Sequence, residues 1–523
     1  MKALSGLDGV FLHVETAQTP MHVASLHLLD LPAGYSGDFH ADLQRQVRRR
    51  LKAAPVLARK LASMPLQFAN PVWVEDDRMD LDYHVQRLTL AAPGTREQLE
   101  DLVGRLHSEP LDRSRPLWRM AVIDGLQSGQ AACYIQIHHA MLDGQAGVML
   151  AQALFDPTPK TRTLPRATGH PEAGPGVLAR AAAALKHDAR QYIKLVQHLP
   201  GAVRTVVGLF DATSGNARGK LGQNFSFGPR TPLNVPITAE RGFAGVSIPL
   251  EPLRQLAGMH EAKLNDIVLA LCSGALRRYL SRHGGIPKEP LIATMPISLR
   301  EAGNAEYTTQ AMLALVNLNT HIADPVGRLR AIRDASGAIK GLAQRARGMI
   351  PTDFPSLGVP WLLQGVAALY GRSSIVKALP VFANVVISNV PGPPLPLYVA
   401  GARMTDYWPL SIVEHGVGLN ITVMSYAGAL GFGFTTARCA VPDARELSMS
   451  LLAALDELTS RGARAGGQMA CARSRPPANQ RHAQALSALW ASAPRRELIA
   501  PSSGAPCAVG HRGSRPPRSP RRR

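Results

Sequence analysis

The stretch Tyr134-Ile-Gln-Ile-His138-His139-Ala-Met-Leu-Asp143-Gly144 constrains this chain more than any other. Ala131 to Ile137 is an apolar run of strand character, and Asp143-Gly144 is turn chemistry. Gln145 to Leu154 then carries apolar residues at helical spacing. The stretch therefore predicts a strand ending at two histidines, a tight turn and a helix. Side chains alternate along a strand, so adjacent histidines leave on opposite faces. One can face a cavity while the other braces the fold. An imidazole titrates near neutrality, which suits a general base. A lone histidine is more often a packing residue, so this reading rests on the whole pattern H-H-x-x-x-D-G. Neighbouring histidines rarely converge on one ion, and no Cys or His at ligand spacing accompanies them, so no metal site is expected.

The chain has 523 residues, 46% of them hydrophobic and 18% charged. That is enough for two to three domains around a large core. No apolar run is long enough to span a bilayer, and Met1-Lys-Ala-Leu-Ser-Gly-Leu-Asp lacks the apolar centre of a signal peptide. Five cysteines show no pairing pattern, and their odd number suits a reducing compartment. The expected location is cytoplasmic, with peripheral contact at the inner membrane, and not secreted. The net charge of +20 is unevenly placed: residues 461–523 hold thirteen Arg and one acid, Glu497, which leaves +8 on the body. A positive body suits phosphorylated ligands or an anionic membrane surface. The Arg-rich tail has no aromatic interleaving or recognition motif, so no nucleic-acid partner is expected.

Strands are predicted at 21–31, 72–75, 85–90, 120–123 and 131–137. Helices are predicted at 5–13, 38–60 and 95–106, the last opened by the capping box Thr95-x-x-Gln98. Strands interleaved with helices imply an α/β domain over 1–155. Residues 156–241 read as a crossover, with Pro-rich stretches around a basic amphipathic segment, 177–199. That segment packs on protein or lies on a lipid surface. A second α/β domain over 242–465 has strands at 243–248, 291–297, 311–321 and 385–389, and a hairpin of 418–426 with 430–436. Its helices are placed at 267–282, 326–345 and 444–460. Asn265 fits the N-cap of the first of these, and Asp266 suits its positive end. The Arg/Pro/Ser-rich tail 466–523 cannot bury enough apolar surface to order itself.

The motifs come in an ordered set: Leu4-Ser-Gly-Leu-Asp8 with Phe11-Leu12, Pro20-Met-His-Val23, Pro116-Leu-Trp118 and His138-His139-x-x-x-Asp143-Gly144. Pro232-Leu-Asn234, Asn265-Asp266, Ser298-Leu-Arg300, Ser388-Asn-Val-Pro-Gly-Pro393 and Gly418-Leu-Asn-Ile-Thr422 follow. Over residues 4–460 this set resembles the bacterial bifunctional wax ester synthase/diacylglycerol acyltransferases. Tyr407-Trp-Pro-Leu-Ser411 departs slightly from the usual form of its segment. The resemblance implies two chloramphenicol-acetyltransferase-like α/β domains, with mixed sheets flanked by helices and an active-site tunnel at their interface. It implies transfer of a long-chain acyl group from acyl-CoA, a substrate rather than a cofactor, to diacylglycerol or a long-chain alcohol.

By the same resemblance His139 is the general base and His138 orients it. Asp143 pairs with Arg300 and fixes the histidine turn, where losing one partner would cost about 3–5 kcal/mol. Gly144 serves backbone geometry. Asn265, Asp266, Ser388 and Asn389 shape the site or contact substrate. No G-x-S-x-G elbow or reactive-Cys motif is present, which points to direct transfer without an acyl-enzyme. Two alternatives stay open: a condensation-type or polyketide-associated acyltransferase, and a non-catalytic protein of lipid-inclusion surfaces.

Overall fold

The computed structural model describes residues 2–3, 6–51, 54–62, 71–76, 78–141, 151, 154–163, 227–298, 311–346, 376 and 380–470. Met1–Ala465 forms one compact unit and Gly466–Arg523 a second.

Two six-stranded mixed sheets organise the first unit. Chain order begins with strand β1 (Lys2–Ala3), helix α1 (Gly6–Val14), β2 (His22–Asp30) and α2 (Phe39–Leu51). Next come β3 (Arg59–Ala62), β4 (Val72–Glu75), the one-turn α3 (Leu81–His84), β5 (Val85–Thr89) and α4 (Arg96–Ser108). The helix expected over 38–60 stops at Leu51. Pro55 opens a 3-10 turn, and Arg59–Ala62 then pairs with β4. A proline removes the helical donor, and pairing along β4 takes over the chain. At α4 the capping box is present: Thr95 Oγ1 accepts from the Gln98 amide at 3.3 Å, and Gln98 Oε1 accepts from the Thr95 amide at 2.7 Å.

Strands β6 (Trp118–Asp124) and β7 (Ala131–His138) follow. Every residue of β7 is buried, as its continuous apolar run predicts for a strand covered on both faces. The first large sheet has the order β12-β13-β2-β7-β6-β5, in which β12 is Tyr398–Val399 and β13 is Ala402–Leu410. A late part of the chain thus returns to the sheet that carries the histidines. No strand was expected over 402–410, where Arg403, Thr405, Asp406 and Pro409 break the alternation. Cross-strand pairing with β2, bulged between Met404 and Asp406, overrides that weak pattern.

The second large sheet has the order β10-β9-β11-β14-β15-β8. Its strands are β8 (Arg241–Pro249), β9 (Ile292–Ser298), β10 (Ala311–Asn317), β11 (Val385–Val390), β14 (Leu419–Tyr426) and β15 (Ala429–Ala437). Helices α5 (Leu250–Met259), α6 (Leu264–Arg282), α7 (Pro325–Ala346) and α8 (Arg445–Ala470) accompany it. The β14–β15 hairpin turns at Ala427 and Gly428, both left-handed at φ 44° and 86°. That is the two-residue turn whose twist suits a hairpin. Helix α8 runs past the expected end at 460 and through the start of the segment expected to lack order; residues 471–523 lie outside those described.

The two sheets touch where β15 crosses β13. A Cβ on Gly433 would collide with the Pro409 carbonyl, and one on Gly431 with that of Tyr407. Close approach therefore demands glycine at both positions. Strand β8 is an edge, and helix α4 covers it. The Gly245 amide donates to Glu100 Oε1 at 3.1 Å, and the Gly245 carbonyl accepts from Arg96. Side chains here take the place of a neighbouring strand.

Candidate functional site

Strand β7 delivers the histidine pair, and its neighbours hold the backbone there. His22 on β2 lies directly opposite His138. The His138 amide donates to the Leu117 carbonyl at 2.9 Å, and the His139 amide to that of Met21 at 2.8 Å. Pro116-Leu-Trp118 and Pro20-Met-His-Val23 thus act by positioning the two histidines. Trp118 is fully buried, and its indole N–H donates to the Leu57 carbonyl at 2.8 Å.

His138 is hydrogen-bonded at one ring nitrogen and faces a carboxylate with the other. Its Nδ1 accepts from the Ala140 amide at 3.0 Å, so the neutral ring carries its proton on Nε2. That Nε2 approaches Glu15 Oε1 at 3.4 Å, an ion-pair distance without hydrogen-bond alignment. Glu15 Oε1 also accepts from the Met21 amide at 2.9 Å, and Arg113 donates to Glu15 Oε2 at 2.6 Å. Burial raises the Glu15 carboxyl, but His138, the Met21 amide and Arg113 outweigh it and bring the pKa to about 2. The carboxylate is therefore ionised and pinned. Arg113 also donates to the Leu12 carbonyl at 2.6 Å, which ties α1 to the same group.

His139 opens a short 3-10 turn, His139–Met141. Its ring stacks on Phe11 of α1 at 3.9 Å between centroids and 22° between planes. Nδ1 is buried and has no hydrogen-bond partner among the described residues. Burial, reinforced by the nearby His138, pulls the pKa down to about 4. Near neutral pH this imidazole is uncharged.

Beneath the pair runs a buried polar chain. His107 Nε2 donates to the Ser411 carbonyl at 3.1 Å, so its neutral ring leaves Nδ1 to accept from Tyr134 Oη at 2.9 Å. His22 Nε2 lies 3.0 Å from the His107 carbonyl. This chain joins the histidine strand to residues following β13.

The second sheet contributes a smaller polar cluster. Helix α6 is capped at Lys263, not at Asn265, and the Lys263 amide donates to Asp266 Oδ2 at 2.9 Å. The N-cap expectation for Asn265 is thus corrected, because a carboxylate three residues on satisfies the first free amide without an Asn cap. Asp266 has its other oxygen 2.5 Å from Ser336 Oγ and is buried, which gives it a structural place at the helix start. Asn265 is released for a different contact, accepting from Asn389 Nδ2 at 3.3 Å. Two of the sequence-predicted residues therefore meet. Ser388, half-buried, lies in register with Thr422 on β14, and the Thr422 hydroxyl donates to Asn420 Oδ1 at 2.9 Å.

Asp143, Gly144 and Arg300 lie outside the described residues, so the expected Asp143–Arg300 pair does too. Sequence reading missed Glu15 and Arg113 and gave Phe11 no role. The one available signal was the regular position of Phe11-Leu12 ahead of Pro20-Met-His-Val23. A groove of about 410 Å³ lined by Tyr35, His40, Arg87, Asp124 and Gln130 lies at the Ala131 end of β7, opposite the histidines, and has no part in this site. Among the described residues no three His, Cys, Asp or Glu side chains gather to hold a metal ion.

The family model described as the wax ester synthase/diacylglycerol acyltransferase catalytic domain matches residues 4–268, and the C-terminal domain model of the same family matches 309–459. A Mycobacterium tuberculosis protein named as a diacylglycerol O-acyltransferase is 36% identical over 473 residues, spanning 88% of this chain and 90% of its own. Another from that organism is 36% identical over 461 residues, spanning 87% and 99%. The solved wax ester synthase/diacylglycerol acyltransferase from Marinobacter aquaeolei VT8 superposes with a TM-score of 0.64 at 28% identity, covering 88% of this chain and 100% of that one. The first condensation domain of the calcium-dependent antibiotic synthetase has a TM-score of 0.50 at 16% identity, a likeness of fold alone.

Proposed function

The chain belongs to the wax ester synthase/diacylglycerol acyltransferase family, and from that premise we propose that His139 is its general base. The protein is an acyl-CoA-dependent O-acyltransferase of neutral-lipid synthesis. Its acceptor is the hydroxyl of diacylglycerol, giving triacylglycerol, or of a long-chain alcohol, giving a wax ester. A hydroxyl is a poor nucleophile at neutral pH, and a positioned imidazole removes its proton as the oxygen attacks the thioester carbonyl. The tetrahedral intermediate then collapses, expelling CoA thiolate, and the imidazolium returns the proton to that sulfur. The acyl group passes directly, without an acyl-enzyme.

The observation that carries this reading is an uncharged, half-buried imidazole whose Nδ1 is buried without a partner among the described residues, beside a second one held at Nδ1 by the Ala140 amide and facing the Glu15 carboxylate. His138 orients, with Glu15 holding its Nε2 face. Asn265 on α6 and Asn389 on β11 supply polar groups beside the second sheet, and Ser388 precedes Asn389 on the same strand. Asp143 with Arg300 completes the proposal as the brace of the histidine turn, with Gly144 serving its backbone. The site lies between the parts 1–155 and 242–465, joined by 156–241, with 466–523 outside the catalytic body. Acyl-CoA is substrate and no cofactor is needed.

The acceptors are lipids, so the enzyme works at the cytoplasmic face of a membrane or on a lipid inclusion. Among the described residues no helix is long and apolar enough to cross a bilayer, which fits peripheral contact. The test is transfer from labelled palmitoyl-CoA to dioleoylglycerol or hexadecanol by the purified full chain and by His139→Ala. Loss of product in a folded variant supports the assignment; unchanged turnover removes His139 as base.

A further inference from the structure

Phe227 and Phe382 lie 155 positions apart in sequence and meet at the surface. Their rings are 5.3 Å apart between centroids in an edge-to-face arrangement, yet the residues are 58% and 59% exposed. Single exposed apolar residues are ordinary, whereas two in contact form a contiguous patch.

The base under this pair is rigid. Gly228 and Val381 form a backbone bridge, with the Gly228 amide donating to the Val381 carbonyl at 2.7 Å. Fully buried Asn384 exchanges two hydrogen bonds with the Ile292 backbone, at 2.7 and 2.9 Å, and donates to the Pro229 carbonyl at 2.6 Å. It also donates to Asn234 Oδ1 at 2.8 Å, while Asn234 donates to the Ala383 and Gly416 carbonyls at 3.1 and 2.8 Å. A Cβ on Gly228 would strike the Asn384 amide. Several buried hydrogen bonds therefore fix the backbone that carries the two rings.

The pair also lies at a particular end of the molecule. Asn234 and Gly416 belong to the end of the second sheet where β11 and β14 begin. The same connection, 411–418, reaches back through the Ser411 carbonyl to His107 and the histidine strand.

We propose that Phe227 and Phe382 form a fixed aromatic foot that seats the enzyme on the lipid surface holding its acceptor. This rests on the peripheral contact proposed above and names the surface that makes it. Diacylglycerols and long-chain alcohols reside in lipid, so loading requires contact with that phase. Aromatic rings enter the headgroup boundary at a gain proportional to buried apolar area. Residues 1–460 carry +8, which suits an anionic surface.

The test compares the full chain with the double variant Phe227→Ser/Phe382→Ser on phosphatidylcholine/phosphatidylglycerol vesicles containing dioleoylglycerol. Vesicle partitioning should fall about tenfold or more, the loss set by the apolar area of two rings. Turnover of vesicle-borne dioleoylglycerol should weaken through KM, while turnover of a short-chain diacylglycerol below its micelle concentration stays unchanged. Equal vesicle binding by variant and parent overturns the foot and leaves peripheral contact standing. A parent that never binds vesicles overturns both. Slowed turnover of the monomeric acceptor overturns the foot by placing the pair in the site itself. In a Phe382→Trp chain, brominated lipid should quench the added emission; emission already apolar without vesicles, and unquenched with them, shows that the chain covers the pair itself and overturns the proposal.

Discussion

The two faces of the strand end at residues 138 and 139 are built differently. On one, His138 has Nδ1 taken by the Ala140 amide and Nε2 set against a carboxylate that Arg113 and the Met21 amide hold. On the other, His139 has a stacking partner, Phe11, and a buried Nδ1 with none. One strand supplies identical side chains, and the surroundings divide the labour between them. A group set between a backbone amide and a carboxylate can fix geometry, while a group kept uncharged with a nitrogen free can move a proton. The neighbours choose the role.

Removing the free group should break the comparison most severely. His139→Ala is expected to lower kcat by about 10²–10⁴-fold, with circular dichroism unchanged. Unlocking the other face comes next. Glu15→Ala strands the Met21 amide and leaves Arg113 without its carboxylate, for a loss of about 1–3 kcal/mol in stability. Activity should fall alongside it, and Glu15→Gln, which keeps an acceptor for Met21, should recover part of both; Tm and kcat measured together check this. Phe11→Leu keeps apolar cover but loses the stack, worth about 0.5–1.5 kcal/mol, so kcat should drop about two- to tenfold.

The smallest expected effect is a flat line. His139 stays uncharged until about pH 4, so kcat/KM should not change between pH 8 and 5 on its account. Stability should behave otherwise over the same range. Burial holds His27 and His107 down to about 3 and His22 well below its ordinary value. Unfolded, the three take up protons near pH 6.5, whereas folded they do not until far lower. The unfolded chain therefore binds more protons between those limits. Stability is full above about pH 6.5 and declines as pH falls toward 3. Thermal melts against pH, set beside the rate profile, should separate the two curves.

Legibility followed the strength of local pattern. β7 was readable because eight consecutive buried positions admit little but apolar residues, and α4 because its capping box lies within four residues. β13 was not, since its place depends on pairing with β2 almost four hundred residues earlier and its own residues are mixed. Glycines 431 and 433 look like hairpin residues in sequence, and only the crossing over β13 explains them. The histidine motif named the two imidazoles, but Glu15 and Arg113 come to His138 from distant segments with no spacing to betray them. Asn265 was misread as a cap because Asp266 does the capping, which local chemistry alone does not decide.

The most direct test of this division is nitrogen-15 NMR of the imidazoles across pH, with His138→Gln and His139→Gln used for assignment. His139 should remain neutral to about pH 4, and His138 should keep an unprotonated Nδ1 while neutral. A His139 ring already charged at pH 7, or a His138 proton resident on Nδ1, would contradict the account.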